Sequence, residues 1–298
     1  MIAEQFDIPI LLLVFNRLDT LEIVFTAIKK RRPLKIYVAC DGPRPLKPGE
    51  AHQVDEVRKY VLENIDWKCE VKTLFREHNL GCGKAVSSAV TWFFDKEEMG
   101  IILEDDCLPD DTFFDFCREN LLYYKDIDDV YHINGYNLQQ GKNYSSDSYF
   151  FSKYPVIWGW ASWKRAWNNY SFSLASFNPE DDPMTLSKYW NKKFSNIKDG
   201  KIDTWDYQWV YTIWKNKAKA IIPNTCLVKN IGFDDNATHT QTEPPWHKKV
   251  VYGSINNIIH PNNQDINDKA DRFIGKNIFV NQSFFQKIIQ YTKDLIKK

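Results

Sequence analysis

Three consecutive carboxylates follow a short apolar run in the segment IILEDDCLPDD: Glu104, Asp105 and Asp106. Like charges repel, and burying them without a partner is costly, so such a cluster requires either full solvation or a cation. Mn²⁺ and Mg²⁺ prefer carboxylate oxygens, and they commonly take only one or two from the protein and the rest from phosphate and water. The segment therefore favours a divalent-metal site at a strand end, where the ion would stabilise a diphosphate leaving group as a Lewis acid.

The same segment also fits an interpretation without a metal. It would then be a solvated acidic turn, or the start of a helix that begins near DTFFDFC. Acidic side chains are common at helix N-termini, where they accept hydrogen bonds from free amide groups. Asp110 and Asp111 are expected to cap that helix under either interpretation.

Two further carboxylates lie beside indole rings in the segment KIDTWDYQW, where Asp203 and Asp206 flank Trp205. A carboxylate in apolar surroundings has a raised pKa and can serve as a general base near neutral pH. The alternative is an ordinary helix start, with Asp203 or Thr204 as its cap and the tryptophans in the core. Both interpretations stay open at this point.

Two polar segments are typical of nucleotide contacts. In ACDGPR, Asp41 follows an apolar run and could accept hydrogen bonds from a base or a ribose, although a simple turn explains the same pattern. In FREHNLGCGKA, glycines precede a helix start, which lets a phosphate approach the helix N-terminus. The residues of this segment that could bind are Arg76, Asn79, Gly81, Gly83 and Lys84. The segment matches neither a Walker loop nor a GxGxxG fingerprint, so it does not identify a ligand by itself.

The segment VIWGWASW is dense in aromatic residues and could form a stacking platform for a sugar ring through Trp158, Gly159 and Trp160. An aromatic core patch is the alternative. Further along the chain, NIGFDDNATHT contains His239, which could bind a metal or a diphosphate or could be a structural histidine.

These segments are separated by strand and helix patterns. The first strand is the continuous apolar run Ile8–Phe15, and amphipathic helices then alternate with strands as far as GIILEDD. Such a β-α-β-α-β-α-β order predicts an α/β fold with a mostly parallel central sheet and helices on both faces. Ligands on such sheets bind beyond the carboxyl ends of the strands. The polar segments expected at those ends are Asn16 and Arg17, Asp41 and Gly42, Arg76 to Gly81, and Glu104 to Asp106.

The second half of the chain does not continue this alternation of strands and helices. It combines an aromatic-rich stretch, Tyr154–Tyr170, with a helix over Thr204–Lys217, mostly loop from Asp234 to about Asn267, and an amphipathic C-terminal helix. No repeat or linker interrupts the sequence. We therefore expect a single domain over 1–298, with a nucleotide-binding half at about 1–130, an acceptor-side catalytic half at about 131–245, and a loop with a C-terminal helix at about 246–298.

Composition limits the function classes. Lys plus Arg equals Asp plus Glu at 39 each, so the net charge gives no support for nucleic-acid binding. The six cysteines form no CxxC pair or zinc pattern, which favours reduced, mostly buried thiols. Residues 1–7 lack a basic leader region and the longest apolar run is too short to span a bilayer, so we expect a cytoplasmic protein.

The order of these segments resembles the nucleotide-sugar transferases of the GT-A fold, a Rossmann-like fold. The resemblance is to the N-acetylglucosaminyltransferase I type and its bacterial relatives, and it covers about Ile10 to about His239. Its strongest part is IILEDDCLPDDTFFDFC, which is similar to that family's acidic strand end and following helix start. FNRLDTL, ACDG, VIWGWASW, TWDYQW and GFDDNATHT resemble other segments of the family in the same order.

The resemblance implies roles for named residues. Asp106 would hold Mn²⁺ or Mg²⁺ on the nucleotide diphosphate, with Glu104 and Asp105 facing the nucleotide sugar. On the nucleotide side, the implied contacts are Asn16, Arg17, Asp41, Arg76, Asn79, Gly81 and Lys84. On the acceptor and sugar side they are Trp158, Gly159, Trp160 and Trp205. Asp206 would be the general base, with Asp203 as the second candidate for that role. His239 would lie in a loop that closes over the diphosphate and metal.

The implied activity is a metal-dependent inverting transfer of a sugar from a UDP-sugar donor, with N-acetylglucosamine as the first candidate or another hexose. The acceptor would be a hydroxyl of a bacterial surface glycan or a lipid-linked glycan. The eukaryotic members carry an N-terminal membrane anchor, so we expect a cytosolic version here. The basic end at Lys287–Lys298 would either touch the inner membrane face or dock as an ordinary terminal helix. The sequence does not indicate an oligomeric state.

Three other functions remain open at this stage. A nucleotidyltransferase uses a similar sheet, but it usually has a glycine-rich loop after the first strand, and VFNRLDT contains no glycine. A retaining transferase would differ in the anomeric configuration of its product. A non-catalytic carbohydrate-binding protein could use the same tryptophans without turnover.

Overall fold

A central β-sheet runs through the part of the chain that the structure, a computed structural model, describes: residues 5–178, 188–233 and 243–280. Within these residues the strands are β1 (Ile10–Val14), β2 (Lys35–Cys40), β3 (Glu70–Phe75), β4 (Met99–Glu104), β5 (Cys107–Pro109), β6 (Val130–Asn134), β7 (Tyr149–Ser152), β8 (Trp160–Trp163), β9 (Lys219–Pro223) and β10 (Val228–Asn230). Eight of them form one sheet in the order β3-β2-β1-β4-β8-β6-β9-β7. β5 and β10 form a separate antiparallel pair.

Helices connect these strands. Those of the described residues are α1 (Leu18–Arg31), α2 (Glu50–Asn64), α3 (Cys82–Phe94), α4 (Asp111–Tyr123), α5 (Lys164–Trp167), α6 (Lys188–Lys198), α7 (Asp206–Lys215) and α8 (Asp268–Ile274). A 3₁₀ turn at His247–Lys249 and a π-helical turn at Gly275–Val280 complete them. Asp110 caps α4, because its side chain accepts a hydrogen bond from the Thr112 amide at 2.9 Å, as expected from the sequence.

The apolar run of β1 explains its central position. All five of its residues are buried, and successive side chains point to opposite faces of the sheet. Ile10, Leu12 and Val14 belong to a core that includes the buried faces of α1, α2 and α4. Leu11 and Leu13 belong to a second core that includes α3 and α7. Helices therefore cover both faces of the sheet.

The predicted α/β fold class is confirmed. β1, β2, β3 and β4 are parallel neighbours, as the alternating pattern predicts. The second half adds a feature that the pattern does not contain, because β8 lies antiparallel between β4 and β6. The helix α6 is also an addition to the predicted elements. The division into three functional regions stays a prediction.

The predicted state of the cysteines agrees with the structure. All six are free, and Cys40, Cys107, Cys117 and Cys226 are buried. Over the described ranges, no helix combines the length and the apolar character needed to cross a lipid bilayer. The C-terminal segment with Lys287–Lys298, which was considered for membrane contact, lies outside the described residues.

Candidate active site

The carboxyl ends of four neighbouring strands form one edge of the sheet. Parallel pairing of β3, β2, β1 and β4 brings the segments that follow them to this edge. It therefore holds the predicted residues Asn16, Arg17, Asp41, Arg76, Glu104, Asp105 and Asp106. Their common location was predicted from the strand order alone, while the role of each side chain depends on its contacts.

Two of the three strand-end acids are half-buried residues whose carboxyl groups are partly removed from water. Asp105 accepts a hydrogen bond from the Phe15 amide at 3.0 Å, which ties the end of β4 to the loop after β1. Burial, with the neighbouring charge of Asp106, raises the pKa of Asp105 to about 7. Burial also raises the pKa of Glu104 well above its usual value, and the charges of Asp106, Asp105 and Asp206 add to this effect. Within the described residues, Oε1 of Glu104 is buried without a hydrogen-bond partner.

The third acid, Asp106, lies against the backbone of Gly232. A Cβ atom at position 232 would overlap Oδ2 of Asp106. The Gly232 carbonyl accepts a hydrogen bond from Arg17 Nη1 at 3.1 Å, and the Ile231 amide donates to the Asp106 carbonyl at 2.9 Å. The segment after β10 thus fixes both Arg17 and Asp106. Gly232 is not among the predicted site residues, although it stands in the GFDD segment that the resemblance includes.

Asp41 holds a neighbouring loop in place. Its carboxylate oxygens accept hydrogen bonds from the Leu80 amide at 3.1 and 2.9 Å. Burial raises the pKa of Asp41, while hydrogen bonds from backbone amides, that of Leu80 first, lower it. Asn79 donates to the Gly42 carbonyl at 2.8 Å, and a Cβ at Gly42 would overlap the His78 backbone. The two segments predicted separately for nucleotide contacts therefore form one packed surface.

Three other predicted nucleotide contacts differ in their surroundings. Asn16 donates to Oε1 of Glu50 at 2.9 Å, and this fully buried carboxylate also accepts hydrogen bonds from Arg44. Arg76 donates to the Ser88 hydroxyl at 2.7 Å. Lys84 is exposed on α3. Asn16 and Arg76 thus already stabilise the loops at this edge.

The two carboxylates of the KIDTWD segment have different positions. Asp203 accepts a hydrogen bond from the Gly83 amide at 3.2 Å, and a Cβ at Gly81 or Gly83 would overlap its carboxylate. Asp203 therefore caps the first turn of α3. The alternative in which Asp203 or Thr204 caps α7 is wrong, because Trp205 is the N-cap residue there and its side chain makes no capping hydrogen bond.

Asp206 is the first residue of α7 and accepts a hydrogen bond from the Thr204 hydroxyl. Burial raises its pKa, and the hydrogen bond from Thr204 and the charge of Lys193 are among the opposing effects. The charge of Asp206 contributes to the raised pKa of Glu104 and of the Cys82 thiol. The charge of Asp206 at the start of α7 therefore reaches both the end of β4 and the start of α3, although these segments are distant in sequence.

The predicted tryptophans differ in how deeply they are buried. Trp160 is fully buried and Trp205 is 2% exposed, and their rings stack at 5.8 Å. The aromatic-core interpretation therefore describes these two residues. Trp158 is half-buried and stacks on Trp246 at 5.8 Å with an interplanar angle of 17°. Gly159, at φ +64°, lets the chain pass between Val228 and Leu103, since a Cβ there would crowd both side chains.

His132 has a structural function that the sequence does not reveal. Its Nδ1 atom accepts a hydrogen bond from the Trp209 indole at 3.0 Å, so its Nε2 atom donates to the Val156 carbonyl at 3.0 Å. The ring stacks on Trp160 at 5.0 Å. Burial lowers the pKa of His132 to about 3. This neutral histidine connects β6 to α7, the helix that begins with Asp206.

The donor atoms at the edge fit a hard divalent ion. Over the described ranges, no group of three or more His, Cys, Asp or Glu side chains is arranged to hold a metal by itself. Mn²⁺ and Mg²⁺ in nucleotide sites need only one or two protein carboxylates, because phosphate and water supply the rest. Asp106 offers such a carboxylate, and its Oδ2 atom occupies the space that a side chain at position 232 would take. His239, the second predicted ligand, lies outside the described residues.

A separate cleft of about 810 Å³ lies between α1, β5 and the 252–253 segment. Its lining includes Lys30, Asp111, Lys229 and Tyr252. Glu104, Asp106 and Asp206 do not line it, so it is distinct from the strand-end site.

No protein-family model and no curated protein sequence matches the chain. Solved structures are similar at low identity. GalNAc-T7 with UDP, GalNAc and Mn²⁺ is 13% identical with a TM-score of 0.44, and the match covers 73% of this chain and 42% of that one. TarS 1–349 from S. aureus is 10% identical with a TM-score of 0.41, covering 74% of this chain and 59% of that one. A cytidylyltransferase from Leptospira borgpetersenii is 13% identical with a TM-score of 0.36, covering 65% and 74%.

All three TM-scores are below 0.5. Likenesses this weak carry no argument about the function of the chain.

Proposed function

We propose that this protein is a metal-dependent inverting glycosyltransferase of the GT-A fold. It moves a sugar, with N-acetylglucosamine as the first candidate and another hexose as the next, from a UDP-sugar to a hydroxyl group. The acceptor class is a bacterial surface glycan or a lipid-linked glycan. The observation that carries the proposal is the unpartnered, buried Oε1 atom of Glu104 at the strand-end acids, which the charge of Asp206, a half-buried carboxylate suited to act as a base, reaches from α7.

Asp206 acts as the general base. Its carboxylate takes the proton of the acceptor hydroxyl while the acceptor oxygen forms a bond to the anomeric carbon. The bond between that carbon and UDP breaks, and UDP leaves with the electron pair. Attack from the side opposite the leaving group inverts the configuration. Burial raises the pKa of Asp206, which makes its carboxylate a stronger base than an exposed aspartate.

Asp106 would hold Mn²⁺ or Mg²⁺ at the end of β4. When bound, the ion would supply positive charge that offsets the negative charge developing on the diphosphate. Arg17 places a guanidinium group at the same edge, where its contact with the Gly232 carbonyl fixes its position. The surface formed by Asp41 and Asn79 receives the uracil or ribose.

Glu104 and Trp158 face the transferred sugar in this proposal. Oε1 of Glu104 is buried and has no hydrogen-bond partner among the described residues, so a sugar hydroxyl could satisfy it. The pairing of Trp160 with Ile102 brings the chain just before β8 alongside the end of β4, so Trp158 is the aromatic residue proposed to contact the sugar. Asp105 is already bonded to the Phe15 amide and shapes the loop after β1.

The experiment that tests the proposal is a titration of UDP with and without Mn²⁺, followed by a nucleotide-release assay on a panel of UDP-, GDP- and dTDP-sugars. Both are run on the wild type, Asp106→Ala and Asp206→Asn. We expect UDP to bind only with the metal, Asp106→Ala to abolish this binding, and Asp206→Asn to bind UDP without turnover. The configuration of the sugar released to water, read by NMR, distinguishes inversion from retention.

Three results would contradict the proposal. Absence of UDP binding with or without metal would mean that the acidic strand end is a solvated turn. Release of pyrophosphate from a nucleoside triphosphate would favour a nucleotidyltransferase. Binding of UDP-sugars without turnover by the wild type, with every acceptor and with water, would favour a non-catalytic relative.

A further inference from the structure

A lysine on α6 lies beside the proposed base. Lys193 is half-buried, and its ammonium group sits over the rings of Tyr207 and Tyr189, at 5.1 and 5.9 Å from their centroids. The two tyrosine hydroxyls are 3.3 Å apart, so they form one polar group at the junction of α6 and α7. The sequence pattern did not indicate a function for Lys193, Tyr189 or Tyr207.

The charge of Lys193 is only partly balanced by the protein. Burial lowers the pKa of Lys193, the charge of Asp206 raises it, and the exposed neighbour Lys192 lowers it. Within the described residues, Asp206 is the carboxylate whose charge reaches Lys193, and no ion pair joins the two. The two aromatic faces stabilise the ammonium group in part, and a ligand of opposite charge would stabilise it further.

The position of Lys193 indicates which substrate would supply the opposite charge. The ring of Tyr207, which lies 5.1 Å from the Lys193 ammonium group, belongs to the residue that directly follows Asp206 at the start of α7. Because the base must contact the acceptor hydroxyl, a cationic group beside the base is placed to meet the acceptor.

We propose that Lys193, together with the hydroxyls of Tyr189 and Tyr207, binds an anionic substituent of the acceptor, either a carboxylate or a phosphate. This inference rests on the proposed glycosyltransferase function, since it assigns the acceptor side of that site. The acceptor class is then a glycan or lipid-linked glycan that carries a uronic acid or a phosphate close to the reacting hydroxyl. The ammonium group and one or two phenolic hydroxyls would donate hydrogen bonds to the anion.

The test is direct binding of small anions, measured by isothermal titration calorimetry at low salt without UDP-sugar or metal. The probes are glucuronate and glycerol phosphate, with glucose as the uncharged reference. The variants are Lys193→Gln, Lys193→Arg and Tyr207→Phe. Lys192→Gln is the matched control, because it removes one positive charge from the next, exposed position of the same helix.

We expect the wild type to bind at least one anion more tightly than glucose, and the preferred probe identifies a carboxylate or a phosphate as the group. Lys193→Gln should weaken that binding by about tenfold or more, the effect of losing one charged hydrogen bond. Tyr207→Phe should weaken it less, while Lys193→Arg and Lys192→Gln should stay close to the wild type. Urea unfolding of each variant verifies that it is folded.

Two outcomes would overturn the inference: no anion binds the wild type better than glucose, or folded Lys193→Gln binds as the wild type does. These results are independent of UDP binding. If UDP fails to bind but the anion binds through Lys193, the proposed function fails and the anion site remains. If UDP binds and turns over but the anion result is negative, the function stands and the acceptor is neutral at this position.

Discussion

The backbone of Gly232 lies directly against the carboxylate of Asp106, and its carbonyl oxygen accepts a hydrogen bond from Arg17 at 3.1 Å. A side chain at position 232 would occupy the space of Oδ2 of Asp106. The segment after β10 thus determines the positions of both Asp106 and the guanidinium group of Arg17. In the proposed function, this arrangement places the metal and the diphosphate.

Gly232→Ala should therefore weaken metal-dependent UDP binding. The new methyl group displaces Asp106, and changes beside a metal ligand typically cost about 10- to 100-fold in metal affinity. The measurement is a calorimetric titration of Mn²⁺ and UDP. Gly275→Ala is the control, because a Cβ there would meet only the Tyr154 hydroxyl, at 3.2 Å. If folded Gly232→Ala bound Mn²⁺ and UDP as tightly as the wild type, Asp106 would not be a ligand of the metal.

Asp206→Asn and Asp203→Ala should affect different properties. Asp206→Asn removes the base, so kcat should fall by roughly 10²- to 10⁴-fold with little change in UDP-sugar affinity. Asp203→Ala removes the cap of α3 and should lower the free energy of unfolding by about 1 kcal/mol, with kcat much less affected. Steady-state kinetics and urea unfolding on both variants check this. The reverse pattern, with turnover lost in Asp203→Ala and kept in Asp206→Asn, would assign the base to Asp203.

The rate should depend on pH through Asp206. Burial raises its pKa above the ordinary 3.8, and a base works only when deprotonated, so kcat/KM should rise with pH through a midpoint above that value. The charged groups facing Asp206 are Glu104 on β4 and Lys193 on α6. Because the charge of Lys193 favours the ionised form, Lys193→Gln should move the midpoint upward. A pH–rate profile of both proteins tests this, and a downward or absent shift would argue against Lys193 acting on the base.

Because His132 is neutral in the folded protein, the free energy of unfolding should depend on pH. Its pKa is lowered to about 3 by burial, against 6.5 as its ordinary value. Between these values the unfolded histidine binds a proton and the native one does not, so its contribution to stability falls as pH decreases below the ordinary value. The loss is about 1.4 kcal/mol per pH unit. In His132→Gln, which can accept from Trp209 and donate to Val156, this dependence disappears.

Urea unfolding of wild type and His132→Gln at several pH values measures the difference between them. The stability advantage of the wild type should shrink as the pH falls, and comparison of the two proteins cancels the contributions of other groups such as Asp271, whose pKa is raised by burial. A constant difference between the proteins would show that His132 takes up its proton in the native state as easily as in the unfolded state.

Much of the fold follows from local pattern. The apolar run of β1 and its alternation with amphipathic helices predict the parallel strands β1 to β4, because each signal lies within a few residues. The clustering of Arg17, Asp41 and Glu104 at one edge then follows from the geometry of parallel strands. The helix α6 carries a comparable signal in the spacing of Trp190, Phe194 and Ile197, yet it is not among the predicted elements.

The finer contacts of the site do not follow from pattern. Asp203 caps α3 through Gly83, and Gly232 fixes Asp106, although the partners are far apart in sequence. Such pairings depend on how the strands and helices pack, and neither residue type nor spacing records them. Periodicity likewise does not distinguish fully buried from half-buried tryptophans, so only the packing separates buried Trp160 from half-buried Trp158.

The position of β8 has a consequence for how the chain folds. β8 lies between β4 and β6 but follows both in the sequence, so the edge of β4 stays unpaired until residues 160–163 are available. Exposed edges of apolar strands tend to pair with other chains. A fragment ending near residue 130 is therefore expected to aggregate instead of folding alone. During synthesis, closure of the sheet must be a late event, and the interval before it is the period in which the nascent chain most needs protection.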